Sequence, residues 1–163
     1  MTTTSRETTR RRSSAAESRR LAPFLLASDE SAIAELEAMV ATLPLCASGR
    51  VFVEVASADD IGLIQVPSRM TVTWLPRAAR SGAPGTGSGC GRGEALARAV
   101  TAWADEMLCD AGTDVENDTR PDVRVEVWLG GDYRGVAPVF EHLVHDLGVD
   151  AARVTAPPVY RLS

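Results

Sequence analysis

Lysine is absent from this 163-residue chain, whose 17 basic side chains are all arginine. The bias is that of a coding preference, and no catalytic role is read from it. Cysteine is scarce: Cys46, Cys90 and Cys109 are odd in number and form no CxxC motif, which excludes a full disulfide framework and a zinc knuckle and leaves free thiols. No uninterrupted apolar run is long enough to cross a bilayer, and the N-terminus has no apolar signal core. A soluble, cytoplasmic protein without a membrane partner is expected. Catalytic signatures are missing as well. No Gly-x-Ser-x-Gly elbow, Cys/His pair or acid/base pair is present, so no catalytic residue is assigned and hydrolytic or covalent chemistry has no support.

What is present suffices for one domain: 45% of the residues are hydrophobic, enough for a single core but too few for two enzyme domains. Charge is uneven. Residues 1–20 hold six Arg against Glu7 and Glu17, about +4, so a formal net charge of −5 leaves about −9 on the rest. Residues 1–20 are read as a disordered basic arm and 21–163 as the folded domain. Arg10, Arg11 and Arg12 have no aromatic neighbours to stack on bases, so nucleic-acid binding is not favoured.

From Pro23 the pattern changes. Pro23–Ala27 is a short apolar run suited to a strand buried on both faces. Ser28–Ser31 supplies capping oxygens and first-turn acids, and Ile33, Leu36, Met39, Val40 and Leu43 follow at helical spacing. Arg50–Val55 and Met70–Leu75 read as strands, with 59–68 a loop between them. Leu96, Ala99, Val100, Trp103 and Met107 mark a second helix, 109–122 an acidic loop and Val123–Leu129 a fourth strand. Val136 to Leu147 form a third helix, and Val154–Arg161 the last strand. This alternation predicts an α/β fold: a Rossmann-like, three-layer open parallel sheet of about five strands with helices on both faces. Ligands of such sheets bind beyond the C-terminal strand ends, which brings Ser28–Ser31, Trp74–Arg77 and Gly130–Tyr133 to one rim.

Two motifs are set aside. The run from Gly85 to Gly93 fits neither GxGxxG nor a Walker loop and reads as a flexible connector. His142 and His145, beside Glu141 and Asp146, have a metal-sharing spacing but fall opposite the apolar stripe of their helix and read as a solvated face; no metal is expected. Asp29 and Glu30 suit the positive end of a helix, and they would repel a pyrophosphate placed there.

Five segments in order resemble the siderophore-interacting protein family. Leu25–Ile33 is similar to the family's Leu-Leu-Ala-Gly-Asp-Glu-Thr-Ala-Leu, Val51–Ala56 and Val72–Leu75 with Ala83-Pro84-Gly85 to its next strands and loop, Val127–Asp132 to its Trp-x-Ala-Gly-Glu turn, and Val159-Tyr160-Arg161 to its terminal Tyr-Trp-Arg. Ser28 stands where the family has Gly, and Ala34, Val159 and Leu162 where it has Pro, Tyr and Arg. The resemblance implies the C-terminal, NAD(P)H-binding Rossmann-like domain of ferric-siderophore reductases, without the flavin barrel or its Arg-x-Tyr-Ser/Thr signature.

NAD(P)H is therefore the implied cofactor, and no FAD is expected on this chain. Asp29, Glu30, Ser31, Trp74, Arg77, Gly131 and Asp132 are the implied nucleotide contacts, with Arg77 for a 2′-phosphate. Tyr160 and Arg161 are implied to meet a flavin-domain partner and, indirectly, the ferric siderophore; the alternative is that Tyr160 caps the last strand and Arg161 frays into solvent. A non-catalytic interaction module that keeps the fold without the ligand stays open beside the reductase reading.

Overall fold

The computed structural model describes residues 22–108 and 124–157. Its central strand, β1 (Phe24–Asp29), is the one that the sequence makes apolar on both sides. Leu25 and Ala27 face one helical layer and Leu26 the other, all buried. β2 (Ser48–Val55) and β3 (Arg69–Pro76) pair in parallel on one flank, β4 (Glu126–Leu129) and β5 (Val154–Thr155) on the other, in the order β3-β2-β1-β4-β5. The sheet is parallel throughout. Helix α1 (Ile33–Ala41) and the segment around Ile64 cover one face, and α2 (Glu94–Leu108) and α3 (Tyr133–Glu141) cover the other. The three-layer α/β architecture agrees with the sequence pattern. Among the described residues no helix is long and apolar enough to cross a membrane.

Strand ends depart from expectation for identifiable reasons. β1 runs two residues past Ala27 because Ser28 and Asp29 pair with Val53 and Glu54 of β2. β4 starts only at Glu126, opposite Phe24 where β1 begins. Val125 is nevertheless fully buried. Among the described residues β5 pairs over Val154 and Thr155; Pro157, which has no N–H to give a ladder, follows closely. Residues 158–161 lie outside the described residues.

The helix layer is closed at both ends. At one end Gly93 (φ +84°) meets Gly135: a Cβ on Gly93 would lie 2.4 Å from the Gly135 nitrogen and 2.6 Å from the Arg134 carbonyl carbon. At the other, α3 passes into a π turn (His142–Asp146), where the Leu147 N–H donates to the His142 carbonyl. There His142 places Nε2 at 2.7 Å from Asp105 of α2 and Nδ1 at 2.9 Å from Asp146. The expected solvated face is corrected at this residue: Glu141, His145 and Asp146 are exposed, but His142 is half-buried between the helices. Burial opposes the imidazolium, yet the carboxylates of Asp146 and Asp105 outweigh it and hold the His142 pKa above its usual 6.5.

Two outcomes follow. Gly93→Ala combines a left-handed φ with a backbone clash and should lower the free energy of unfolding by about 1–3 kcal/mol or more, read from urea midpoints. Because His142 is more basic folded than unfolded, its contribution is complete below about pH 6.5 and fades as pH rises through the raised folded value. The stability difference between wild type and His142→Gln should therefore be largest near pH 5.5 and shrink toward pH 9, with an amplitude of about 1 kcal/mol or less, since both carboxylates are mainly solvent-exposed.

Candidate functional site

The expected rim forms at the C-terminal ends of β1 to β4, and its organising group is one that sequence reasoning did not single out. Glu54, the penultimate residue of β2, is 0% exposed. Strand alternation aims it at the helix layer of α2, where Oε1 accepts the Gly93 N–H (2.7 Å) and Oε2 the Leu96 N–H (2.8 Å). These are donors of the first turn of α2, which has no preceding turn to supply carbonyls. The carboxylate thus caps the helix from another strand and complements the positive end of its dipole.

Arg77, directly after β3, joins the same group. Its Nη1 donates to Glu54 at 3.1 Å, and Nη1 and Nη2 form a two-pronged pair with Glu30 at 2.8 Å each. The bidentate match of guanidinium to carboxylate is the strongest form of such a pair. Hydrogen bonding to Arg77 holds the Glu30 carboxyl below its usual range despite partial burial. The Glu30 and Glu54 carboxylates in turn raise the Arg77 pKa further above its ordinary value. Arg92 adds a second cation, with Nη2 3.2 Å from Glu30 and Nε 3.6 Å from Asp29.

Asp29 is the hinge between β1 and the β4 turn. Oδ1 accepts the Ser31 N–H at 2.8 Å and the Ser31 hydroxyl at 2.5 Å, capping the short turn Glu30–Ala32. Oδ2 accepts the Asp132 N–H at 2.9 Å. Gly131 (φ +103°) lies against this carboxylate, and a Cβ there would sit 2.5 Å from Asp29 Oδ1. Asp132 caps α3 through the Arg134 N–H. Ser28, where a Gly was implied, is fully buried and turns its hydroxyl back to the Asp29 carbonyl.

Asp29, Glu30, Ser31, Arg77, Gly131 and Asp132 are therefore brought together. Trp74 is not among them: it packs in the cluster on the α1 side, its ring beside Gly62. Tyr160 and Arg161 lie outside the described residues. Sequence reasoning missed Glu54, Arg92 and Gly93. The one available signal was Glu54 itself, an acid inside an otherwise apolar strand, which burial obliges to find partners. The glycine run is held rather than slack: Ser81 bridges Gly89, the Gly82 N–H donates to the Ser88 carbonyl, and Arg98 donates to the Ser81 and Gly82 carbonyls.

The implied dinucleotide can be tested against these groups. Strand order reverses between β1 and β4, which is where open sheets of this type take ligands. The Gly130–Gly131 turn borders that point, but the space a side chain would take there is filled from within, by the Trp128 ring at Gly130 and the Asp29 carboxylate at Gly131. Arg92 has a side chain 37% exposed and an Nε with no hydrogen-bond partner among the described residues. Arg77 is 15% exposed and committed to two carboxylates. The residues present fit a nucleotide met by the Arg92 side chain, not one seated on a helix N-terminus, since Asp29, Glu54 and Asp132 already occupy donors there. Among the described residues no cluster of His, Cys, Asp and Glu could hold a metal ion.

A protein-family model described as "Siderophore-interacting protein" matches residues 21–160. Two relatives, each described as an uncharacterized protein, from Mycobacterium bovis and Mycobacterium tuberculosis, are 44% identical over 57 residues, 35% of this chain and 20% of theirs. Among solved structures, the siderophore-interacting protein SipS from Aeromonas hydrophila superposes with a TM-score of 0.56 at 21% identity, covering 85% of this chain and 50% of that one. A siderophore utilization protein from T. fusca gives a TM-score of 0.51 at 28% identity, covering 81% and 42%. The chain thus spans half or less of the length of each.

The network yields a graded expectation. Glu54→Ala strands two buried helix donors and takes one of two carboxylates from Arg77, and should cost about 2–4 kcal/mol, whereas Glu30→Ala, at a partly exposed pair, should cost about 1 kcal/mol; chemical denaturation of both variants checks the order. Because Glu30 is more acidic folded than unfolded, its contribution should persist down to about pH 4.5 and be lost as pH falls through the lowered value.

Proposed function

Since the chain belongs to the siderophore-interacting protein family, we propose that it is the NAD(P)H-side unit of a ferric-siderophore reductase, working with a flavin held outside the described residues. The observation that carries this reading is the reversal of strand order at β1, beside which the Gly131 turn and a partly exposed Arg92 both lie against Asp29. When bound, the reduced nicotinamide supplies a hydride, which a flavin converts into single-electron reduction of iron. The chain's own residues position and discriminate. The Gly130–Gly131 turn borders the ligand, Asp29 fixes that turn, and Arg92, whose side chain is partly exposed, offers a cation to a phosphate. Arg77 holds Glu30 in place instead of meeting the 2′-phosphate. By resemblance, Tyr160 and Arg161 stack on and pair with the flavin-bearing partner, residue types enriched at the centres of interfaces.

A second reading is favoured by a specific observation. The carboxylates of Asp29, Glu54 and Asp132 already satisfy first-turn N–H groups that an anionic ligand would otherwise use. A domain of this kind serves as an interaction module that retains the fold without the nucleotide.

Titration of the purified, colourless protein with NADPH, followed by nucleotide fluorescence with and without added FAD, separates the two. The reductase reading expects saturable binding, weakened about tenfold in Arg92→Ala, or about 1.4 kcal/mol, with the NADPH-over-NADH preference unchanged in Arg77→Ala. Reconstitution with a flavin-domain protein should give NADPH-dependent ferric-siderophore reduction that falls in Tyr160→Ala and Arg161→Ala. Absence of binding and of activity would leave the interaction module standing.

A further inference from the structure

The opposite ends of the same strands carry a cleft that plays no part in the rim. Pro23 precedes β1, Ser48, Gly49 and Arg50 open β2, and Thr71 of β3 stands beside Arg50 in the register. With Trp103, Met107 and Leu108 from the last turns of α2, they line a space of about 290 Å3. Alternation along β2 puts Arg50, Phe52 and Glu54 on one face. Glu54 reaches the start of α2 and the Phe52 ring lies edge-on to Trp103, 6.3 Å between centroids, so Arg50 lies on this same side, near the helix's end. At Gly49 a Cβ would run into the Phe24 carbonyl at 1.9 Å, which keeps this part of the lining bare backbone.

Arg50 is the unusual member. It is half-buried, yet its guanidinium forms no hydrogen bond or ion pair with any described residue, in contrast to Arg77, Arg92, Arg98 and Arg153, which are all engaged. No nitrogen of the Arg50 guanidinium is sealed from solvent, so its donors stand open to an anion that enters the cleft. The Thr71 hydroxyl stands on the neighbouring strand. Ser48 adds a second hydroxyl-bearing residue, Pro23, Trp103, Met107 and Leu108 are apolar or aromatic, and Met107 is left largely exposed. One fork-shaped cation, two hydroxyl-bearing residues and apolar walls suit a planar anion with an apolar body better than a phosphate, which would call for more charge. At roughly 30 Å3 for each water-sized unit, the space takes a ligand of roughly ten heavy atoms.

We infer that this cleft binds a small monocarboxylate with an aromatic or branched apolar body, its carboxylate on Arg50 and Thr71 and its body against Trp103 and Met107. Benzoate is the probe, with benzamide as its uncharged counterpart, titrated into the full chain while the indole N–H resonances of the three tryptophans are followed; Trp103→Phe assigns the relevant one. Benzoate at millimolar concentration should move the Trp103 signal saturably and leave Trp74 and Trp128 in place, and benzamide should not move it. Arg50→Gln should weaken the titration at least about tenfold, because the two-pronged contact is lost. Arg50→Lys, which keeps the charge and guards against a folding defect, should weaken it less, and Thr71→Val by a smaller factor still. Equal response to benzamide, an unchanged titration in Arg50→Gln, or a silent Trp103 overturns the inference.

Discussion

Everything at the rim depends on one carboxylate having been taken out of water. A buried Glu54 inside a parallel sheet is tolerable only if its oxygens are fully met, and the groups that meet them come from distant parts of the chain: Gly93 and Leu96 at the head of α2, and Arg77 after β3. The same demand fixes where α2 begins and how the chain turns after β3. Arg77, once recruited, fixes Glu30, and Glu30 draws in Arg92. The order of strands therefore translates directly into an order of charges, negative and positive alternating outward from a buried centre.

Much of the fold was legible because it rests on local patterns. The two-sided apolar run of β1, the helical spacing of α1 and α2 and the Gly130–Gly131 turn each report their structure within a few residues. The rim's location was legible for a similar reason, since it needs only the rule that sites follow strand ends. Its internal pairing was not. Glu54 meets partners 23, 39 and 42 positions away, and which arginine stays accessible depends on how the loop before α2 crosses the sheet. His142 shows the same limit: periodicity put it opposite the apolar stripe of its own helix, but the neighbouring helix that buries it and supplies Asp105 leaves no trace in that helix's sequence. Trp74 lies in a correctly identified strand but faces the α1 layer.

The family relationship gains meaning from what this chain does with the shared architecture. The strand order and the switch point are common property of open parallel sheets and say little about ligands by themselves. In this chain the starts of α2 and α3 and the short turn before α1 are each met by a carboxylate from within, while α1 itself begins after Ala32 with no side-chain cap. Asp29, Glu54 and Asp132 each occupy first-turn donors, so the positive ends of the helices are turned inward to hold the protein together. Any ligand at this rim must be recognised by side chains and exposed backbone, and little of its affinity can come from helix dipoles.

The contact of Gly93 with Gly135 has a mechanical corollary. Where helices pack through side chains, a small displacement of one is absorbed by rotamer changes in the layer between them. At Gly93 and Gly135 there is no such layer, because the backbones meet almost directly there, although farther along the helices pack through Leu96, Val100, Val136 and Val139. A push on the loop before α2 would pass undamped into the first turn of α3, then through the Asp132 N–H to Asp29 and the end of the central strand. Backbone contact thus couples the rim to the starts of the two helices behind it, whereas at their far end α2 and the π turn are joined through a side chain, the His142 ring between Asp105 and Asp146.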